Sequence, residues 1–275
     1  MRLALLTALV MVAFAANSLL NRAAVGAGLI EALPFALIRV VTGAAVLWAM
    51  TRVRPGRENL LPALWLTLYL LGFSLAYRAL DAGVGALILF AGVQVTMLAG
   101  AVLGGEKPPA RRFAGAGVAL VGLAALLLPG TAAVPALTPA LLMAAAALGW
   151  GLYSLAGRGA REPLRATAGN FLLAVPLVVL ACLPVGWGEA SVQGVLLAAV
   201  SGAVTSGLGY ALWYAVLPGL GAARAAVAQL SVPVIALGAG AMTLGERLSP
   251  AAWMASALVL AGVALATLPA RRRSR

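Results

Sequence analysis

The residues of this 275-residue chain that could bind a polar solute lie inside long apolar runs. Gln229 places an amide in one such run, and Pro233 follows it by four positions. Proline removes a backbone donor and disturbs the carbonyl one helical turn earlier, so the loosened helix and the amide side chain suit a polar ligand. The spacing therefore predicts a ligand group at Gln229 and a hinge at Pro233, with a simple packing kink as the alternative.

One arginine, Arg39, lies inside the second apolar run, about eight residues from its start. At about 1.5 Å per helical residue it lies roughly 12 Å from the outer end of a helix, and a charge at that depth is costly unless it is paired or faces water. The acidic residues all fall at the ends of the runs or between them: Glu31, Glu58, Asp81, Glu106, Glu162, Glu189 and Glu246. We therefore predict that Arg39 meets a substrate carboxylate or backbone carbonyls.

Aromatic residues recur at helical spacing in the same runs. The candidates for a solute site are Tyr77, Phe90 with Gln94 on the same helix face, Tyr210, Trp213 and Tyr214. Tyr69 and Phe73 share a face with Tyr77, and Trp150 shares a face with Tyr153. Rings with polar tips can stack on a planar or cationic solute and form hydrogen bonds with it. The alternative is an aromatic belt at the membrane interface, which suits Tyr77 and Tyr214 near the ends of their runs.

Composition places these runs in a lipid bilayer. The chain is 63% hydrophobic and 9% charged, with a mean hydropathy of +1.05, whereas soluble domains carry roughly 25% charged residues. The net charge of +12 does not indicate nucleic-acid binding, because the arginines form short clusters between apolar runs and not one basic face. The chain therefore belongs in a membrane.

Ten apolar runs predict an all-α membrane protein with ten transmembrane helices, since about 20 apolar residues cross the hydrocarbon layer. The runs cover 3–21, 31–50, 60–80, 83–104, 110–128, 138–157, 164–184, 191–217, 222–244 and 250–268. Strands of a β-barrel would alternate apolar and polar residues over about ten positions, and these runs are longer and uniformly apolar. The first run also fits a secretory signal, but the internal repeat favours a retained helix.

The positive charges predict the orientation. With the N-terminus in the cytoplasm, fifteen of the nineteen Lys and Arg residues fall on the cytoplasmic side, and only Arg22, Arg78 and Arg247 fall outside. Cytoplasmic loops of membrane proteins carry such an excess. We therefore expect a multi-pass protein of the cell inner membrane with both termini in the cytoplasm.

The second half of the chain repeats the first. Residues 103–124 match 243–264 at a constant shift of 140, which pairs Glu106 with Glu246. Both glutamates precede a cation and a helix start, so we expect them to fix their loops. Convergence on an Ala/Leu/Gly pattern is the alternative, but it does not explain the aligned loops.

Each half, 1–130 and 131–275, contains five predicted helices. A half with five helices, an odd number, starts and ends on opposite sides of the membrane. The second half therefore begins on the side opposite to the first, and the two halves have opposite orientations. The bias of the positive charges requires the same arrangement independently. Two inverted-topology five-helix repeats are typical of secondary transporters, whose site lies between the repeats.

The halves, their Gly-Glu-Lys and Gly-Glu-Arg loops, and the run YALWY with Gln229 and Val232-Pro233 resemble the EamA group of the drug/metabolite transporter superfamily. The resemblance covers essentially the whole chain. It implies ten helices around a central cavity and an alternating-access exporter of small organic solutes. The chain is also similar to bacterial exporters of aromatic amino acids in that group. The family usually has proline in the middle of the fourth helix, where this chain has Val93, so symmetric hinging of both halves is not implied.

Two other function classes fit the sequence less well. A membrane enzyme needs a nucleophile–base pair or metal ligands, and the chain has no histidine and one cysteine, Cys182. A channel should show a polar stripe or a ring of charges. We expect a monomer in the bilayer, with no metal or other cofactor and no nucleic-acid partner. Because no acid lies within a run, we also expect uniport-like or weakly coupled transport.

Overall fold

The structure is a computed structural model that describes residues 2–105, 107–126, 136–157, 160–184, 188–213, 215–216, 219, 228–229, 231–246 and 249–267. Its helices are α1 (Arg2–Asn21), α2 (Ala32–Thr51), α3 (Leu60–Ala76), α4 (Ala82–Leu103), α5 (Ala110–Leu126), α6 (Leu137–Gly157), α7 (Pro163–Cys182), α8 (Val192–Val200), α9 (Ser231–Thr243) and α10 (Pro250–Thr267). π-Helical segments extend α1 through Arg22–Gly26 and α8 through Ser201–Leu208, and α8 continues to Trp213.

Long apolar helices dominate the part of the chain that is described. Seven of them are long and apolar enough to cross a membrane: α1, α2, α3, α4, α6, α7 and α8 with their extensions. In the described residues α5, α9 and α10 hold 17, 13 and 18 residues. The prediction of an all-helical membrane protein is confirmed. Most of the first part of the predicted run 222–244 lies outside the described residues.

The helices pack mainly across the two halves of the chain. α5 packs along α10, α2 along α7 and α4 along α9. In addition, α3 contacts α6 and α7, α1 contacts α8 and α9, α4 contacts α6, and α2 contacts α8. Among the described residues, the largest hydrophobic core takes its members mainly from α1, α2, α3, α4, α6, α7 and α8, with further residues from α9 and α10.

Small residues bring α5 and α10 into backbone contact. A Cβ at Gly122 would lie 2.7 Å from the amide nitrogen of Val259 and 3.0 Å from the carbonyl oxygen of Ala255. A Cβ at Gly262 would collide with the backbone of Ala119. Residue numbers rise along α5 as they fall along α10, so the two helices are antiparallel. Glycine at these positions permits the close approach that membrane helices use to associate.

The helices α4 and α9 end at matching glycines. Gly105 has φ +81° and Gly245 has φ +66°, in the left-handed region that glycine adopts without steric cost. A left-handed glycine just after a helix is a common way to end it. The two positions are related by the shift of 140 found in the sequence, and both have the same backbone conformation.

Candidate solute-binding site

A small cavity lies at the centre of the helix bundle. Its lining residues are Phe14, Asn17 and Ser18 of α1, Tyr69 and Phe73 of α3, Leu89 and Phe90 of α4, Trp150 of α6 and Tyr210 of α8. The empty space that these residues line is about 280 Å³, which includes open solvent, and the space open to water-sized molecules is small. Six of the nine lining side chains are aromatic, so the cavity wall is mainly π surface with a polar side on α1.

The rings around the cavity contact each other, and Trp150 lies at their centre. The Trp150 ring centroid is 4.9 Å from that of Tyr210, 5.0 Å from that of Tyr69 and 6.2 Å from that of Phe14. Phe14 also packs edge-on against Tyr210 at 5.8 Å and Trp213 at 5.7 Å. Offset and edge-on pairs of this kind are favourable arrangements of aromatic quadrupoles. The wall is therefore an interlocked set of rings drawn from both halves.

Arg39 lies beside this wall and is fully buried. Its Nε donates to Ser206 Oγ and its Nη2 donates to Tyr69 OH, each at 2.9 Å. The guanidinium carbon is 5.3 Å from the ring centroid of Tyr69 and 5.0 Å from that of Phe73, which are cation–π distances. Nη1 has no hydrogen-bond partner among the described residues. The partners found are hydroxyls and rings, not the backbone carbonyls considered from the sequence.

A polar network connects Arg39 to the cavity through α8 and α1. Asn17 Oδ1 accepts hydrogen bonds from Ser201 Oγ at 3.0 Å, from Ser206 Oγ at 3.4 Å and from Thr205 Oγ1. Asn17 Nδ2 donates to the Thr205 carbonyl at 3.3 Å. The three hydroxyl residues lie in the π-helical segment of α8, a type of segment that is frequent at functional sites. The π turn places these hydroxyls toward α1.

The structure brings some of the predicted site residues to the cavity. Phe90 and Tyr210 line it, Trp213 packs on the lining residue Phe14, and Arg39 lies behind Tyr69 and Phe73. Tyr214 lies outside the described residues.

The other predicted residues are not among those that line the cavity. Tyr77 packs on the lining residue Phe73, with 4.8 Å between their ring centroids. It is fully buried and donates to the Ala82 carbonyl at 3.2 Å, so it does not belong to a lipid-facing belt. Gln94 is half-buried in α4, and Gln229 is buried. Pro233 is buried in the first turn of α9. Its role as a hinge stays a prediction.

Sequence reasoning did not select the α1 side of the cavity. Asn17, Ser18 and Asn21 are buried and share one helix face in an otherwise apolar run, which is a usable signal for a polar pocket. Asn21 Nδ2 donates to Ser74 Oγ at 3.0 Å. The ring of Phe14 carried no such signal, because an apolar ring in an apolar helix is indistinguishable from a core residue.

A second charged cluster lies at the predicted outer end of the bundle. Arg22 Nη2 is 3.3 Å from Asp81 Oδ1, and its Nε is 3.7 Å from Glu246 Oε1. Glu246 Oε1 accepts a hydrogen bond of 2.7 Å from the Ala82 amide at the start of α4, so Glu246 does fix its loop. Burial raises the pKa of the Glu246 carboxyl and the Asp81 charge adds to the rise, whereas the amide hydrogen bonds and Arg22 oppose it.

Within the described residues, no group of three or more His, Cys, Asp or Glu side chains is placed to hold a metal ion. The described polar groups at or beside the cavity are Arg39 and the hydroxyl and amide side chains.

Comparisons with known proteins match both the fold and the sequence. The model of the EamA-like transporter family matches residues 137–268. The uncharacterized protein PA1977 of Pseudomonas aeruginosa is 46% identical over 274 residues, which cover 98% of this chain and 95% of that protein. A protein solved by crystallography has a TM-score of 0.69 at 25% identity, covering 95% of this chain and 98% of the solved one.

Proposed function

The chain belongs to the EamA-like transporter family, and from this premise we propose that it carries amino acids, aromatic ones included, or related small metabolites by alternating access. It is a multi-pass membrane protein, and its family is one of transporters. We assign export as the direction of net transport, as the resemblance implies, and we assign no enzymatic step.

The observation that carries the proposal is the aromatic cavity between the two halves of the chain. Tyr69 and Phe90 come from the first half, and Trp150 and Tyr210 come from the second. Secondary transporters hold their substrate between repeats near the middle of the bilayer, and rings with polar edges suit a planar solute. The narrowness of the cavity suits a closed state, from which rearrangement of the helices would open it to either side.

The packing supports two inverted five-helix repeats, 1–130 and 131–275. If each helix is replaced by the helix five places before or after it in the chain, every contact between the halves named under the overall fold becomes another contact of the same set. For example, the contact of α3 with α6 becomes the contact of α8 with α1. The contact of Gly122 with Val259 and that of Gly262 with Ala119 interchange under the shift of 140. Because α5 and α10 are antiparallel, the exchange reverses direction, as a twofold axis in the membrane plane requires.

Helix directions support ten alternating crossings with both termini in the cytoplasm. A Cβ at Gly92 would meet Ala147 and a Cβ at Gly100 would meet Leu155, so α4 and α6 run parallel, as the fourth and sixth crossings must. The charge bias then sets the cytoplasmic side. We propose a monomer in the cell inner membrane on this basis.

We propose uniport-like or weakly coupled transport. Six of the seven acidic residues are described, and all six lie at helix ends or between helices. A proton-coupled carrier generally uses a titratable group within the membrane. Flux in proteoliposomes that depends strictly on a pH gradient would contradict this part of the proposal.

Counterflow into proteoliposomes tests the transport function. Liposomes preloaded with a panel of amino acids and related metabolites are expected to accumulate labelled solute in a saturable manner. The variant Trp150→Phe should reduce this flux about tenfold, because it replaces the central indole of the cavity wall with a smaller ring that has no N–H. The matched variant Trp253→Phe should leave flux unchanged, because Trp253 is half exposed on α10 and is not among the residues that line the cavity.

Two results would contradict the proposal in different ways. Flux that does not saturate with concentration would indicate a channel. Saturable flux that is equally reduced by Trp150→Phe and Trp253→Phe would indicate that the cavity is not part of the transport path.

A further inference from the structure

The charge of Arg39 is not neutralised by any described residue. Arg39 forms no ion pair with the six described acids, which pair or lie elsewhere. A guanidinium carries five N–H donors, and in this structure Nε and Nη2 have hydroxyl partners while the buried Nη1 has none among the described residues. An isolated charge inside a membrane protein is costly and marks a functional site by default.

The uncompensated charge lies next to the cavity. Tyr69 and Phe73 line the cavity and also hold the guanidinium carbon 5.3 Å and 5.0 Å from their ring centroids, so the charge is about one ring away from the solute space. Tyr69 OH accepts from Arg39, and a phenol also carries one proton that it can donate.

From this arrangement we infer that the Arg39–Tyr69 pair recognises a carboxylate, and that the transported solute is a monocarboxylate with a planar or apolar body. The inference rests on the proposed transport function and names its substrate class. A carboxylate matches an arginine fork and a phenol donor, and one negative charge balances the single cation at this site. The ligand's amino group is dispensable, because the described cavity lining contains no acid to pair with an ammonium.

A ligand series on the purified protein tests the inference. The series consists of phenylalanine, 3-phenylpropionate, which lacks the amino group, phenethylamine, which lacks the carboxylate, and phenylalanine methyl ester. Binding is followed by intrinsic tryptophan fluorescence, since Trp150 lines the cavity, and transport by competition in counterflow. We expect the two acids to compete within about threefold of each other and the amine and the ester to be at least tenfold weaker.

The variant Arg39→Met tests carboxylate recognition independently of folding. Its readout is the ratio of acid affinity to ester affinity, which does not depend on how much of the protein is folded. The ratio should fall to near one in Arg39→Met and fall about threefold in Tyr69→Phe. Arg78→Met is the matched control, since Arg78 is an exposed cation 3.9 Å from Glu31, and the ratio should not change. If Arg39→Met does not fold, the ligand series with the unmodified protein remains decisive.

The outcomes distinguish this inference from the transport function. Equal competition by the amine or the ester overturns the carboxylate inference while saturable counterflow keeps the transporter. Acid-selective fluorescence changes that depend on Arg39, without counterflow of any solute, support the carboxylate site and overturn transport. Absence of both signals overturns both proposals.

Discussion

The two arginine clusters of this protein differ in how the cation is surrounded. At one end of the bundle, Arg22 meets two carboxylates, Asp81 at 3.3 Å and Glu246 at 3.7 Å. In the centre, Arg39 is fully buried and meets only hydroxyls and rings among the described residues. A cation that is paired with carboxylates of the protein can hold helices together. A cation that has no such partner can instead bind an anionic group of a ligand.

The position of each cluster suits its chemistry. Glu246 accepts from the Ala82 amide at the N-terminus of α4, where the helix dipole favours negative charge. Arg22 in turn connects the end of α1 to this point. Arg39 instead contacts Ser206 on α8 and Tyr69 on α3, which come from different halves of the chain. The Arg22 cluster therefore closes loops, and the Arg39 cluster joins the two halves of the chain beside the cavity.

Loss of the contact that positions Arg39 is expected to have the largest effect on stability. A Cβ at Gly202 would collide with Thr42 and with the backbone of Arg39, so Gly202→Ala should separate α2 from α8 and lower the free energy of unfolding by about 1–3 kcal/mol. Thermal unfolding in detergent measures the change. Gly238→Ala is the control, because nothing lies within 4 Å of a Cβ there. Equal stability of the two variants would show that the α2–α8 contact is not tight.

Replacing each arginine with methionine contrasts the clusters directly. Arg22→Met leaves Asp81 and the buried Glu246 without a cation, and we expect it to lower the free energy of unfolding by about 1–2 kcal/mol. Arg39→Met removes an uncompensated buried charge, and we expect stability to stay within about 1 kcal/mol of the unmodified protein or to rise. Unfolding curves for both variants test this, and a larger loss in Arg39→Met would contradict the comparison.

The hydroxyl of Ser206, which bridges Arg39 to α1, is expected to contribute less to stability than Arg22 does. Ser206 accepts from Arg39 and donates to Asn17, so Ser206→Ala should cost roughly 0.6 kcal/mol, the average for a hydrogen bond between membrane helices, and should weaken carboxylate binding about threefold. Ser154→Ala is a matched control, since Ser154 Oγ donates only within α6, to the Trp150 carbonyl. Identical ligand affinities in the two variants would show that Ser206 does not contribute to ligand binding.

Protonation of Glu246 should produce the smallest effect. Because burial raises the pKa of its carboxyl, the folded state binds this proton more tightly than the unfolded chain does. The associated stability is complete below the ordinary glutamate pKa of about 4.3 and is lost as pH rises through the folded-state pKa. The stability of the unmodified protein relative to Glu246→Gln should therefore decrease with rising pH in thermal unfolding. The opposite slope would mean that Arg22 and the amides outweigh burial.

Much of the helical framework could be predicted because lipid forces the backbone to satisfy its own hydrogen bonds. The run containing Arg39 was correctly assigned as a helix, and the depth of Arg39 alone indicated an unusual charge. Phe90 and Tyr210 were selected for the cavity from helical spacing and do line it. Gln94, chosen by the same spacing from Phe90, does not line the cavity, because helical spacing identifies a face of the helix and not how far the cavity extends along that face.

By itself, the sequence determined that this is a membrane protein, that it is helical and that one arginine lies deep within an apolar run, because these properties follow from local composition and spacing. Only the tertiary structure decided what surrounds that arginine. Ser206 lies 167 positions from Arg39, and Asn17 lies 188 positions from Thr205. Contacts across such separations depend on the rotation and the crossing angles of helices from the two halves. Packing between distant helix surfaces sets these quantities, and a local sequence pattern does not contain them.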